Sequence, residues 1–362
     1  MERKRSWVAL PHTAKRVAVL SQTIELPFVG FATSNQTKTK PIHIFFVHGN
    51  GLCKEVWLPV IDRLLSLLLQ KHQTQPTSKK TPHGRTTSFS ASTLSLHTID
   101  LEGHGESDPF APELLVWWDF GRDVAAVVRH FVPRASDAAA VYGVGHSMGG
   151  ASLLMAEILC SEEGGLFERL LLVEPIVMPT RVVLQRRREN PLAKAALRRR
   201  NGFRSLAEAR EHYYLRQGSS NMFSTWHEEA FEQYLRGGLV CVSNGSDGKE
   251  GEAAVWKLRC DPVLEAAAFK ADDAGAHYHL FKVKTKRVKL LYGKASDVYN
   301  ARAADLILRN IEDNIRRSPD LQSFRIQAVE EATHFLPMEK LDLMAEEIVQ
   351  LMLPNVQSKA NL

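Results

Sequence analysis

Gly145-His146-Ser147-Met148-Gly149 stands between an apolar run, AAVYGV at Ala139–Val144, and a helical pattern that extends to about Cys160. A serine between a strand and a helix, with glycine two positions before and after it, is typical of a strained turn that pushes the side chain out of the backbone. An incidental serine in a glycine-rich turn is the alternative. The strand-to-helix setting favours Ser147 as a nucleophile.

A serine hydroxyl becomes a good nucleophile only when a base takes its proton, and an acid must orient that base. His334, in EEATHFLPMEK between the last strand and the closing helix, is the predicted base. For the acid we favour Asp297, four residues beyond Gly293 in the loop after the strand KRVKLLYG. Glu174, just past the strand RLLLV, is the competing acid.

The oxyanion of an acyl-transfer intermediate needs backbone N–H donors that are already in place. The residue after the nucleophile, Met148, is predicted to supply one. The second is expected from the turn His48-Gly49-Asn50-Gly51-Leu52, with Asn50 favoured as the donor and Gly51 next. A plain turn would explain the glycines equally well, so this prediction depends on Ser147.

Short β-branched and aromatic runs alternate with helical patterns, which predicts an α/β fold: a mostly parallel sheet flanked by helices. We expect the core to comprise residues 17–175 and 286–353. A polar segment at 71–93, rich in Ser, Thr, Lys and Pro, is predicted to be a disordered insertion. Residues 176–285 lose the strand rhythm and are predicted to form a helical cap, and residues 354–362 a C-terminal tail.

Composition limits the function classes. The 362 residues carry a net charge of +5, which gives no reason to expect a nucleic-acid partner. Four widely spaced cysteines form no CxxC pair and indicate free thiols in a reducing compartment. The basic N-terminus has no apolar signal-peptide core, and no run is long enough for a membrane span. The sequence therefore predicts an intracellular protein without a transmembrane segment, and it leaves the oligomeric state open.

Several motifs together resemble the α/β-hydrolase superfamily of serine hydrolases. They are HGNG at 48–51, DLEGHGESD at 100–108, GHSMGG at 145–150 and THFLPMEK at 333–340. The resemblance spans about residues 40–353. It implies an α/β-hydrolase fold with an inserted helical cap, and it gives the DLEGHGESD turn a structural role. Epoxide hydrolases and haloalkane dehalogenases of this superfamily have aspartate where Ser147 stands, which argues against those chemistries.

The chain also resembles fungal peroxisomal lipase-like and toxin-biosynthesis hydrolases. Its C-terminus, Ala360-Asn361-Leu362, is similar to the peroxisomal tripeptide in its first and last residues, although Asn361 replaces the usual basic one. The expected location is thus cytoplasmic or peroxisomal, with a random polar tail as the alternative.

The predicted cap is strongly basic. Residues 181–216 hold ten Arg and one Lys against three Glu. Such runs usually form a solvated surface, and the functional alternative is contact with an anionic group such as a coenzyme A phosphate or an anionic lipid surface. Five aromatic side chains of the cap are predicted either to pack as core or to line an apolar acyl pocket; they are Tyr213, Phe223, Trp226, Phe231 and Tyr234.

These features predict a lipase-, esterase- or thioesterase-like enzyme that cleaves a small-molecule ester or thioester through an acyl-enzyme. The expected chemistry uses no metal or cofactor. Acyl transfer and carbon–carbon bond hydrolysis are the enzymatic alternatives, and a ligand-binding protein on a hydrolase scaffold is the alternative from another class.

Overall fold

A computed structural model describes residues 2–26, 40–73, 92–133, 139–177, 190–215, 222–242, 254–271, 275–299 and 301–353. Most of the polar segment predicted at 71–93 lies outside these residues. So do the arginines at 186–188 and the C-terminal tripeptide at 360–362.

The described residues form ten strands. In chain order they are β1 (Lys4–Ala9), β2 (Arg16–Leu26), β3 (Ile42–Val47), β4 (Ser92–Ile99), β5 (Ala140–His146), β6 (Arg169–Val173), β7 (Leu239–Val242), β8 (Val255–Leu258), β9 (Arg287–Gly293) and β10 (Ser323–Val329). Eight of them make one sheet in the order β1-β2-β4-β3-β5-β6-β9-β10. The pairs β1–β2 and β2–β4 are antiparallel, and the other neighbours are parallel. This confirms the predicted α/β class with a mostly parallel sheet.

Helices cover both faces of the main sheet, and the described residues form ten helices in all. They are α1 (Leu58–Gln73), α2 (Trp117–Phe131), α3 (Met148–Leu159), α4 (Pro191–Leu197), α5 (Leu206–Arg210), α6 (Glu228–Gly238), α7 (Pro262–Lys270), α8 (Ala301–Ile315), α9 (Leu336–Glu339) and α10 (Leu341–Met352). Helices α1 and α10 pack together, as do α2 and α3. Short 3-10 turns lie at Lys54–Trp57, Ser161–Glu163 and Ala276–Lys282, and one π-helical turn lies at Glu211–Leu215.

Alternate side chains of each central strand enter two different hydrophobic cores. Along β3, Ile44 and Phe46 belong to the core beneath α1 and α10, whereas Phe45 and Val47 belong to the core beneath α2, α3 and α8. All four are fully buried. Because both faces are covered by helices, a central strand needs apolar residues at every position, which is why these strands read as continuous apolar runs.

The segment 176–285, which we call the insertion, lies between β6 and β9. Its described part contains α4 to α7 and a two-stranded antiparallel ribbon of β7 and β8. The ribbon was not predicted from the sequence. Helices α4 and α7 pack through alanines, with Ala193 and Ala196 against Ala266, and α6 packs on the turn Lys54–Trp57.

The register of the parallel strands brings their carboxyl ends to one edge. Val47 at the end of β3 pairs with Gly145, and His146 at the end of β5 pairs with Val173 at the end of β6. Gly293 and Val329 likewise pair at the ends of β9 and β10. The turns that follow these five strands therefore lie side by side, which is where ligands bind in open α/β sheets.

Candidate active site

Ser147 occupies the turn between β5 and α3 in a strained conformation. Its backbone has φ 53° and ψ −119°, in the positive-φ region that non-glycine residues rarely adopt. The Ser147 N–H donates to the Val173 carbonyl at 2.9 Å, which ties the turn to the neighbouring strand. A Cβ at Gly149 would lie 2.5 Å from the His48 carbonyl oxygen, so only glycine lets α3 approach β3 this closely. The strained turn predicted between a strand and a helix, which we call the elbow, is thus present.

His334 lies in the turn between β10 and α9 and reaches the nucleophile. Its Nε2 is 3.0 Å from Ser147 Oγ, the distance of a normal hydrogen bond. Both residues are only 9% exposed. With the ring neutral and its proton on Nδ1, Nε2 accepts from the serine hydroxyl, the arrangement a general base requires.

The carboxylate beside His334 is Glu174, the predicted alternative, and not Asp297. Glu174 Oε2 lies 2.6 Å from His334 Nδ1, and the glutamate side chain is completely buried. Asp297 is exposed, in the loop after β9. We therefore take Glu174, rather than Asp297, as the proposed orienting acid. Because β6 lies between β5 and β9, its carboxyl end places an acid one strand from Ser147.

The loop after β9, where Asp297 lies, supplies hydrogen-bond donors to Glu174 instead of an acid. The Gly293 N–H donates to Glu174 Oε1 at 2.8 Å, and the Ser296 hydroxyl donates to Oε2 at 2.7 Å. With His334, the carboxylate thus accepts three hydrogen bonds. These donors hold the buried carboxylate in one orientation against His334 Nδ1, which suits it to stabilise an imidazolium.

The two turns that are predicted to supply the oxyanion donors meet at Ser147. Met148 is the first residue of α3, so its N–H has no acceptor within that helix. A Cβ at Gly49 would lie 3.2 Å from Ser147 Cβ, so the turn after β3 contacts the nucleophile directly. Gly51 makes a backbone hydrogen bond to Cys260. Of the two predicted donors in this turn, Gly51 is therefore engaged elsewhere, and Asn50 stays the predicted second donor.

The insertion packs directly on this turn. Asn50 Nδ2 donates to the Glu265 carbonyl of α7 at 3.0 Å. The Glu265 carboxylate forms an ion pair with Arg199, which also donates to the Tyr234 hydroxyl. A Cβ at Gly51 would lie 2.6 Å from Glu265 Oε1. The insertion thus covers the turn that is predicted to bind the oxyanion.

The aromatic residues of the insertion pack as a core. All five are buried, and the ring centroid of Phe223 lies 5.0 to 5.3 Å from the ring centroids of the other four. Trp226 also contacts Phe335, the residue after His334, at 5.4 Å between ring centroids. Of the two readings of these aromatics, the structure supports core packing, and it places that core beside the histidine turn.

Several arginines in the described part of the insertion pair with nearby glutamates. Arg200 lies 2.7 Å from Glu208, and Arg210 lies 2.6 Å from Glu232. The hypothesis of a cationic face for an anionic group consequently depends on the exposed Arg198 and on the arginines at 181, 186–188 and 216, which lie outside the described residues.

A serine, a histidine and a buried glutamate, aligned at the carboxyl edge of a mainly parallel sheet, define the class of α/β proteins that carry a serine–histidine–acid site. A model of the "Alpha/beta hydrolase family" matches residues 44–350, and the chain belongs to this family. It is an alpha/beta hydrolase. A search of curated protein sequences found no significant match.

Solved structures of the same fold are similar over nearly the whole chain. The peroxisomal alpha-beta-hydrolase Lpx1 of Saccharomyces cerevisiae is 17% identical, with a TM-score of 0.63 over 99% of this chain and 90% of its own. E-2-(acetamidomethylene)succinate hydrolase is 15% identical, with a TM-score of 0.59 over 97% and 99%. The thioesterase domain of the curacin biosynthetic pathway is 14% identical, with a TM-score of 0.58 over 96% and 100%. At these identities the likeness concerns the fold.

None of the helices among the described residues has an apolar stretch long enough to cross a bilayer.

Proposed function

We propose that this alpha/beta hydrolase cleaves a carboxylic ester or thioester through an acyl-enzyme on Ser147. The observation that carries the proposal is the continuous chain of contacts from Ser147 Oγ to His334 Nε2 at 3.0 Å and from His334 Nδ1 to Glu174 at 2.6 Å. This is the arrangement in which a serine proton can be removed as the hydroxyl attacks a carbonyl.

In the first half of the proposed reaction, Ser147 Oγ bonds to the carbonyl carbon while His334 Nε2 takes the hydroxyl proton. The Glu174 carboxylate stabilises the resulting imidazolium, and the N–H groups of Met148 and Asn50 bind the oxyanion. When the intermediate collapses, His334 returns the proton to the leaving alcohol or thiol. The acyl group then remains on Ser147.

In the second half, water takes the place of the alcohol. His334 removes a proton from the water as its oxygen attacks the acyl carbon, and the proton then passes to Ser147 as the acid leaves. The overall reaction consumes one ester or thioester and one water, and it yields one carboxylic acid and one alcohol or thiol. Every protein group in these steps is a side chain or a backbone N–H of this chain.

The test combines active-site labelling with a substrate screen. A fluorophosphonate should label the wild-type chain at Ser147, and Ser147→Ala should abolish both labelling and turnover. Circular dichroism should show an unchanged fold, since the substitution removes one hydroxyl. Full esterase activity in the Ser147→Ala variant, or a wild-type chain that never reacts, would overturn the proposal.

Substrate class follows from a second measurement. Turnover of p-nitrophenyl esters and acyl-coenzyme A thioesters of graded chain length separates an esterase from a thioesterase. A strong preference for the coenzyme A thioesters would support an anion-binding role for the arginines of the insertion. Equal turnover of both series would remove that role.

A further inference from the structure

His146, the residue before the proposed nucleophile, makes a buried contact with the main chain of the proposed base. Its Nε2 lies 2.8 Å from the His334 carbonyl oxygen, and the side chain is 1% exposed. The two imidazole centroids are 4.9 Å apart. His146 ends β5, the central strand that leads to the elbow. It thus links the rigid part of the site to the turn after β10.

The contact fixes the tautomer of His146. A carbonyl oxygen can only accept, so Nε2 must carry the proton. Burial lowers the pKa of His146 well below its ordinary value, which keeps the ring neutral and leaves Nδ1 without a proton. That Nδ1 has no hydrogen-bond partner among the described residues, and it faces Gly49, where a Cβ would lie 2.9 Å away.

An unpartnered buried nitrogen destabilises the fold, so its presence calls for a compensating role. The neutral state of the His146 ring is part of that role. His334 becomes an imidazolium during the proposed reaction, and a second positive charge 4.9 Å away would oppose it. A neutral ring can donate one hydrogen bond to His334 without adding charge.

We infer that His146 is a positioning residue that holds His334 in line with Ser147. Two consecutive residues of the elbow then contact two different atoms of the same histidine: Ser147 Oγ meets its ring, and His146 Nε2–H meets its carbonyl. Two contacts from one rigid element restrict both the translation and the rotation of His334. The inference rests on the proposed function, since it concerns the alignment of that base.

A matched set of variants tests the inference. His146→Gln places a side-chain N–H near the position of Nε2, whereas the amide of His146→Asn reaches only the position of Nδ1. His146→Leu keeps comparable bulk and has no donor. Misplacement of a catalytic group by an ångström costs about 100-fold in rate. We therefore expect the Asn and Leu variants to lose ~10- to 100-fold in kcat for p-nitrophenyl butyrate, with KM unchanged, and the Gln variant to remain within about threefold of wild type.

Labelling and NMR separate the outcomes. If wild type is not labelled by a fluorophosphonate, the proposed function fails. If wild type is labelled but the Leu and Asn variants turn over within threefold of it, or the Gln variant is as slow as they are, only the inference fails. Nitrogen-15 spectra of the wild-type histidines supply a readout that needs no variant to fold: His146 should be neutral with its proton on Nε2 from pH 5 to 9. A proton on Nδ1 would overturn the inference.

Discussion

Replacing Glu174 by Gln tests which acid orients His334, because it removes one charge at almost constant volume. The carboxylate accepts from Gly293 N–H, from the Ser296 hydroxyl and from His334 Nδ1–H. An amide has one acceptor oxygen, and the Gly293 N–H, which can only donate, holds that oxygen at the position of Oε1. The NH₂ group therefore faces His334 Nδ1 and stabilises the tautomer whose proton is on Nε2, where it opposes the Ser147 hydroxyl.

The same carboxylate-to-amide change in a serine protease triad lowers kcat by about 10⁴-fold, and we expect a loss of this order here. This corresponds to roughly 5 kcal/mol of transition-state stabilisation, at about 1.36 kcal/mol per factor of ten. The assay is the rate of fluorophosphonate labelling together with p-nitrophenyl ester turnover. Asp297→Asn is the matched control and should stay within about twofold of wild type, because Asp297 is exposed. A large loss in Asp297→Asn with little change in Glu174→Gln would refute the assignment.

Two further predictions concern packing and pH. Gly49→Ala should lower turnover at least ~10-fold, because the added Cβ would lie 2.9 Å from His146 Nδ1 and 3.2 Å from Ser147 Cβ. Gly202→Ala is the control and should keep wild-type turnover in the same kinetic assay, because the nearest atom to its added Cβ would be 3.8 Å away. A Gly49→Ala variant with wild-type turnover would contradict the close packing. Burial raises the pKa of the Asp123 carboxyl to about 6 from 3.8, so the folded state binds its proton more tightly than the unfolded state does. The wild-type free energy of unfolding should therefore fall by up to ~3 kcal/mol relative to Asp123→Asn as pH rises from about 4 to 7. Chemical denaturation across that range measures the difference, and parallel pH profiles would exclude it.

The central strands could be predicted because burial on both faces demands unbroken apolar runs. The predicted strands RLLLV and KRVKLLYG correspond to β6 and β9. Strand β1 was not predicted because it has no unbroken apolar run. It lies at the sheet edge, most of its side chains are exposed, and its sequence KRSWVA carries charge where the central strands carry Val and Ile. Strands β7 and β8 of the ribbon are shorter still, with four residues each, and most of their residues are half-buried or exposed.

The serine and the histidine could be placed from sequence because each is tied to a local signal. Ser147 has its glycines, and His334 follows the last strand. The acid had no such signal, since the chain order serine, acid, histidine holds for Glu174 as well as for Asp297. What distinguishes them is strand adjacency in the sheet, which a single sequence does not display. An acid directly after the strand RLLLV, without an intervening loop, is the one feature that favoured Glu174.

Glu174 also stands at the root of the insertion, two residues before it begins. Pro175 follows Glu174 directly, and its carbonyl accepts a hydrogen bond from the Tyr299 hydroxyl at 2.5 Å. This bond anchors the start of the insertion to the segment after β9. The position of the junction therefore matters when the insertion is exchanged for that of another hydrolase. A junction placed after Val177 and before Lys286 keeps the acid and its anchor with the sheet. A junction placed at Val173 would exchange the acid along with the insertion.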